Sequence, residues 1–274
     1  MLRLGQVDYL NVLPIYHAFS SGAVPLEAEL VAGVPSVLNQ KFLTGELDIT
    51  PISSIAYARQ PESAWVLPDI SISADGAVES ILLFLRCPVE ELAGKRIAVT
   101  TSSATSVILL RILMNCYYGI SCSYHPARPD LKEMLEQYEG ALLIGDDALI
   151  AREQSSIPYL DLGALWKEMT GLPMVYALWV IRREYVAWNQ REISRVVEAF
   201  RESRRWGLTN RDEVIRTAIR RYPLPEAVLK NYFETIRYDL DDSYRQAVEV
   251  FFDYALQVGA LPAPARLKVW GVDE

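Results

Sequence analysis

The sequence predicts an α/β protein of two lobes facing each other across a central cleft, with a helical C-terminal region packed on the first lobe. Three observations lead there. Strand-like segments alternate with helices of about ten residues, the signature of a mostly parallel sheet. The cycle runs twice, and a polar connector at 86–95 separates the two runs. Past residue 181 the apolar spacing turns wholly helical.

The first cycle opens with a strand over 2–7, a loop at 8–11 and a short helix around 14–19. A second strand covers 26–31. Pro35 opens a helix over 37–44, and Gly45 is placed to close it in a left-handed cap. A third strand, 47–50, runs into Pro51-Ile52-Ser53-Ser54, where Ser53 or Ser54 can cap the next helix. The apolar run 80–85 suits a strand buried on both faces. The second cycle has a strand at 96–100 and a helix at 103–118 ended by Gly119. That helix is apolar nearly all round, with Arg111 and Asn115 on its one polar stripe, so it is expected inside. A helix at 130–138, a strand at 141–144 and a helix at 162–169 follow, the last ended by Gly171. The run 175–181 is a further buried strand. Three apolar helix faces complete the chain: Ile193, Val196, Val197 and Phe200; then Val228, Leu229, Tyr232 and Phe233; then Ala247, Val248, Phe251, Phe252 and Ala255. Their spacing suits core packing rather than a cofactor site.

This order places lobe one at 1–86 and 180–274, with lobe two, 87–179, inserted. Ligands of open α/β sheets sit beyond the carboxyl ends of the strands, so both lobes should aim those loops into the cleft. The alternative is a single doubly wound sheet in which 86–95 is an ordinary loop.

Composition narrows the function. With 51% apolar and 23% charged residues the chain can bury a sizeable core. Its 15 Tyr, 7 Phe and 6 Trp argue against long disorder. A net charge of −8 argues against a nucleic-acid partner. The arginines at 201–205 and 216–221 fall within helical patterns, as solvated faces do. No signal-peptide pattern is visible, and no run approaches the roughly 18 apolar residues of a membrane span, so a cytoplasmic location is expected. Cys87, Cys116 and Cys122 are an odd count without metal or redox spacing. His17 and His125 are isolated, and neither a glycine-rich phosphate loop nor Gly-x-Ser-x-Gly occurs. Nucleophilic catalysis, zinc chemistry and nucleotide hydrolysis therefore lose weight. A binder, or an enzyme whose substrate does much of the chemistry, gains it.

Four loops follow predicted strands: Asp8-Tyr9-Leu10-Asn11, Ser53-Ser54, the stretch 100–106, and Gly145-Asp146-Asp147. In the third, six of seven residues are Ser or Thr: Thr100, Thr101, Ser102, Ser103, Thr105 and Ser106. It stands before a long helix, whose N-terminus offers unpaired N–H groups and a partial positive charge. Such a site can take a carboxylate without Lys or Arg, and Ser53-Ser54 repeats the logic; simple N-capping is the competing reading. Asp146 can cap its helix or meet a substrate hydroxyl.

Residues 7–14, Val-Asp-Tyr-Leu-Asn-Val-Leu-Pro, resemble the N-terminal signature of the MqnA family, the chorismate dehydratases of the futalosine route to menaquinone. The likeness continues through Pro51-Ile52-Ser53-Ser54, the segment 75–84 with Glu79-Ser80, and the segment 101–106. It runs on through 144–149, 161–166 and 170–173. The resemblance implies a periplasmic-binding-protein-like type II fold used as an enzyme that removes water from chorismate. With the phosphate-loop and metal-ligand motifs missing, no cofactor and no metal are expected. The resemblance places Asn11 at the reacting ring, where Asn11 is the expected catalytic residue, and with the hydroxyl-rich loops the expected substrate-binding set is Tyr9, Ser53, Ser54, Ser80, Thr101, Ser102, Ser103, Thr105 and Asp146. The partner expected is chorismate, with neither nucleic acid nor membrane, and a homodimer is left open. A sister enzyme of the same fold, 1,4-dihydroxy-6-naphthoate synthase, relies on a histidine base. Neither His17 nor His125 stands in a motif that matches it. A non-catalytic binder of a small anionic solute is the rival from another class.

Overall fold

A computed structural model describes residues 2–273. The chain first lays down β1 (Leu2–Val7), α1 (Leu13–Ser20), β2 (Ala28–Gly33), α2 (Pro35–Leu43), β3 (Ile49–Ser53), α3 (Ser54–Arg59) and β4 (Ala64–Ala74). A second unit holds β5 (Ile81–Leu85), β6 (Arg96–Thr100), α4 (Ala104–Ile112), β7 (Ser123–Ala127) and α5 (Leu131–Gln137). It continues with β8 (Gly140–Ile144), α6 (Gly145–Gln154), β9 (Tyr159–Asp161) and α7 (Leu162–Thr170). β10 (Met174–Arg182) returns to the first sheet, and α8 (Arg183–Thr209), α9 (Arg211–Arg221), α10 (Glu226–Thr235) and α11 (Asp242–Gln257) follow. The strand orders are β2-β1-β3-β10-β4 and β7-β6-β8-β5-β9, two separate sheets rather than one doubly wound sheet.

Both sheets are mixed, where strand–helix alternation implied mostly parallel ones. β1 runs parallel to β2 and β3, and β6 parallel to β7 and β8. β10 is antiparallel to β3 and β4, and β5 to β8 and β9. In each sheet the antiparallel insertion is the strand that arrives from the other lobe. The crossovers accordingly fall at 75–80 and 171–173, not at 86/87 and 179/180. β5 belongs wholly to the second sheet and β10 wholly to the first. An apolar run reads the same whichever sheet it joins, so its own residues do not say where the chain crosses.

Three strands lie where the sequence suggested none. β4 carries Pro68 and Asp69 at its middle, with Asp69 at φ 61°, and its ladder with β10 shifts register there. Turn-type residues thus mark a bulge inside the strand rather than its end. β7 is a partly exposed edge strand containing Pro126, as edges allow, and β9 has three residues. The predicted helix over 103–118 is α4 followed by a π-helical turn, Leu113–Tyr117. Gly45 and Gly171 take the left-handed φ of helix terminators, 78° and 72°.

One buried apolar cluster runs through both lobes. A smaller one, including Leu82, Phe84, Ala98, Leu143 and Ala148, covers the opposite face of the second sheet. β5 shows why its sequence is apolar throughout. Side chains alternate along a strand, so Ile81, Leu83 and Leu85 enter the large cluster while Leu82 and Phe84 enter the small one. The C-terminal helices pack mainly on lobe one, α8 against α1 and β4 and α11 against β10 and α3. α11 also reaches α4 of lobe two.

Candidate active site in the interlobe cleft

Val7, Ser53, Thr100 and Ile144 end β1, β3, β6 and β8, and the loops after these four strands converge between the lobes. They border a common, partly open cleft between the lobes. Its apolar walls come from Val7, Val12, Ile72, Val78, Ile81 and Ile236. Its polar groups are the side chains of Tyr9, Asn11, Ser53, Ser80, Ser102, Ser103, Ser106 and Tyr176. Those described residues carry no full charge, so an anion here must be held by neutral donors.

The hydroxyl-rich stretch supplies them. Ser103 caps α4, its Oγ accepting from the Ser106 N–H at 3.3 Å and lying 2.9 Å from the Ser106 Oγ. Thr100 Oγ1 accepts from the Ser102 N–H at 3.2 Å and lies 2.7 Å from the Ser102 Oγ. Capping and ligand-facing roles therefore coexist: one lone pair of Ser103 serves the helix while its residue lines the cleft. The remaining first-turn N–H groups of α4 have no partner within the helix. α6 also starts at the cleft wall, through Ile144 and Gly145, with no side-chain cap.

Asn11 lies in a 3-10 turn, Leu10–Val12, and its Oδ1 is buried without a hydrogen-bond partner among the described residues. The Tyr176 hydroxyl is buried and unpartnered in the same way. A buried acceptor left unpaired costs about 1–3 kcal/mol, which a ligand donor would recover. Burial pushes the Tyr9 phenol up, with the Ser102 hydroxyl opposing, and pushes Tyr176 well up. Neither phenol is a base at neutral pH.

Six of the ten expected site residues line the cleft: Tyr9, Asn11, Ser53, Ser80, Ser102 and Ser103. Four do not. Ser54 is fully buried and donates to the Val175 carbonyl at 2.7 Å, because α3 packs its first turn against β10. Thr101 is exposed, as its side chain projects from the stretch while Ser102 and Ser103 turn inward. Thr105 is buried and accepts from the Ile55 N–H at 3.1 Å, joining α4 to α3 across the lobes. Asp146 does not cap α6; its Oδ1 accepts from the Leu10 N–H at 3.2 Å, from one lobe to the other. The second expected anion seat is thus reduced to Ser53, at the start of a helix only six residues long. Ser106 and Tyr176 were not in the expected set. Ser106 could have been found from its place one turn after the capping Ser103. Tyr176, within an apolar strand, carried no signal. Among the described residues no group of three or more His, Cys, Asp or Glu is placed to hold a metal ion. No helix among them is long and apolar enough to cross a membrane.

A profile of the menaquinone-biosynthesis family matches residues 2–257, nearly the whole chain. The chain belongs to the menaquinone-biosynthesis family. Within it, the chain is 34% identical to the chorismate dehydratase of Thermus thermophilus, over 90% of this chain and 93% of that protein. It is 31% identical to the chorismate dehydratase of Campylobacter jejuni, over 63% of this chain and 64% of that one. The 1,4-dihydroxy-6-naphthoate synthase of T. thermophilus is 28% identical over 78% of this chain and 77% of that one. Among solved structures, a protein of Archaeoglobus fulgidus superposes with a TM-score of 0.77 at 24% identity, covering 94% of this chain and 98% of that one. The periplasmic aliphatic sulphonate binding protein of Escherichia coli gives 0.73 at 15% identity, covering 98% and 97%. This family member therefore has the periplasmic-binding-protein-like fold that its sequence resemblance implied.

Proposed function

We propose that this protein is a chorismate dehydratase, a hydro-lyase that removes water from chorismate to give 3-[(1-carboxyvinyl)oxy]benzoate. The observation that carries the reading is the unpartnered Asn11 Oδ1 on the wall of an uncharged, hydroxyl-lined interlobe cleft. Chorismate brings two carboxylates and one secondary hydroxyl. The α4 N-terminus with Ser102, Ser103 and Ser106 suits a carboxylate. The Asn11 carboxamide, which can both accept and donate, suits the hydroxyl that leaves.

The reaction breaks the C3–H and C4–O bonds and forms an aromatic ring and water. Aromatisation drives it, so the protein must chiefly position the ring and exclude water. With the phenols of Tyr9 and Tyr176 held up and the other lining groups non-titrating, the side-chain carboxylate of the substrate is the proton acceptor in this reading. The naphthoate synthase reading finds less support. His17 Nε2 faces Glu213 Oε1 at 3.2 Å and its ring packs on Trp206. His125 neighbours Ser123 and Tyr138, and neither histidine lines the cleft.

Incubating the pure protein with chorismate, without additives, tests the proposal. Multiple-turnover loss of one water, read by mass spectrometry, is the expected result. A stable, unmodified complex would instead make the protein a solute binder, and indifference to chorismate would remove the reading.

A further inference from the structure

The turn that carries Asn11 is held from two sides. From its own lobe, the Tyr238 hydroxyl donates to the Asn11 carbonyl at 2.9 Å, and Arg237 beside it is bridged to Ser73 of β4. From the opposite lobe, Asp146 Oδ1 accepts the Leu10 N–H. The first N–H groups of any helical turn lack partners within it. Tyr9, at the N-cap of this one, makes no side-chain cap bond. The missing cap is thus supplied by a residue far away in sequence, in the first turn of α6. Asp146 is not among the residues lining the cleft, so this contact does not compete with the ligand. Any parting of the lobes to admit a ligand breaks the Asp146–Leu10 bond, because its two partners stand on opposite lobes.

We infer that Asp146 is a positioning residue that caps the Asn11 turn only when the lobes are together, coupling closure to placement of the Asn11 carboxamide. That the carboxamide faces a reacting ring rests on the dehydratase reading; the contact itself does not.

The surroundings of Asp146 give this coupling a pH dependence. Asp8 follows β1, Asp147 is next on α6, Tyr9 stands on the facing loop, and Tyr222 and Tyr232 come from the ends of α9 and from α10. Burial pushes the Asp146 carboxyl up to about 7; Asp147 and Asp8 push the same way, while the Leu10 N–H and the Tyr222 hydroxyl oppose. With the lobes apart the carboxyl meets water, where its ordinary value is near 4. Closure raises that value and so takes up a proton. It is strongest at the acid end, weakens by up to tenfold per pH unit as the pH rises to about 7, and then levels. The neutral carboxyl still accepts from Leu10 through its carbonyl oxygen, and an asparagine amide imitates it.

The test compares D146A, D146N and the unaltered protein by two readouts. At pH 6, D146A should lose about tenfold in kcat/KM for chorismate and exchange the Leu10 amide hydrogen about tenfold faster, followed by NMR. D146N should recover most of both, with a kcat/KM that stays flat from pH 6 to 8 while that of the unaltered protein falls towards pH 7. Unchanged Leu10 exchange in D146A, or a D146N as defective as D146A, overturns the inference. Should the unaltered protein leave chorismate intact, the dehydratase reading falls while Leu10 exchange still decides the role of Asp146.

Discussion

Gly207 offers a test in which the sign of the effect decides. On α8, Ser203 and Gly207 stand one turn apart on the face that meets α1, and the Ser203 hydroxyl donates to the Ile15 carbonyl. A Cβ added at Gly207 would stand 2.8 Å from the Pro14 carbonyl carbon and 3.1 Å from its Cα, and nearer still to the carbonyl oxygen. Non-bonded carbons settle at about 3.5–4.0 Å, so the two helices would have to part by roughly 1 Å. The obstruction is backbone and cannot swing aside, which puts the overpacking cost near the top of its usual span, about 3 kcal/mol. Alanine is the better helix former by about 1 kcal/mol. The net loss in G207A is therefore about 2 kcal/mol, or a melting temperature lower by about 4–8 °C for a chain near this size. Differential scanning calorimetry reads it directly. Since α1 directly follows the Asn11 turn, kcat for chorismate should fall with it. A G207A protein melting at or above the parent would show that helix propensity outweighs the clash, and the close approach of α8 to α1 would be refuted.

Three further outcomes are expected. N11A should lower kcat about a hundredfold while chorismate still raises the melting temperature; unchanged turnover would remove Asn11 from the chemistry. Asp48 is 2% exposed: burial pushes its carboxyl up, but hydrogen bonds from the side chain and backbone of Arg3, with Arg182, outweigh this and hold it below its ordinary value. That stabilisation is present above about pH 4 and is lost as the pH falls through the lowered value. Urea titrations should therefore show D48N weaker by about 3 kcal/mol at pH 7, with the gap closing towards pH 3. Asp161 accepts from the N–H groups of Val78 and Glu79 while capping α7 at Gly163 and Ala164, and Glu79 is held at φ 62°. D161A should cost about 2–4 kcal/mol in urea and reduce turnover, because Ser80 follows the released segment; equal turnover would detach Ser80 from this support.

The polar stretch at 100–106 shows how far local reading carries. Its composition and its place between strand and helix were enough to anticipate an inward-facing N-terminus, and Ser102 and Ser103 line the cleft. Composition does not distinguish neighbours that face opposite ways. Thr101 points to solvent, and Thr105 is consumed by the Ile55 N–H of the other lobe. Asp146 teaches the same lesson, since its partner Leu10 is 136 positions away. β4 failed for a different reason: Pro68 and Asp69 are turn formers whose bulge makes sense only beside β10.

By itself, the sequence determined what depends on spacing over a turn or two of chain: strands at both sheet centres, the amphipathic C-terminal helices, the glycine terminators and the hydroxyl-rich helix start. Tertiary structure alone decided which sheet β5 and β10 enter, hence where the lobes join, and which hydroxyls and carboxylates remain free for a ligand. Periodicity records only that a side chain is buried or capped. The donor or strand that meets it is chosen by long-range pairing, which leaves no mark on its immediate neighbours.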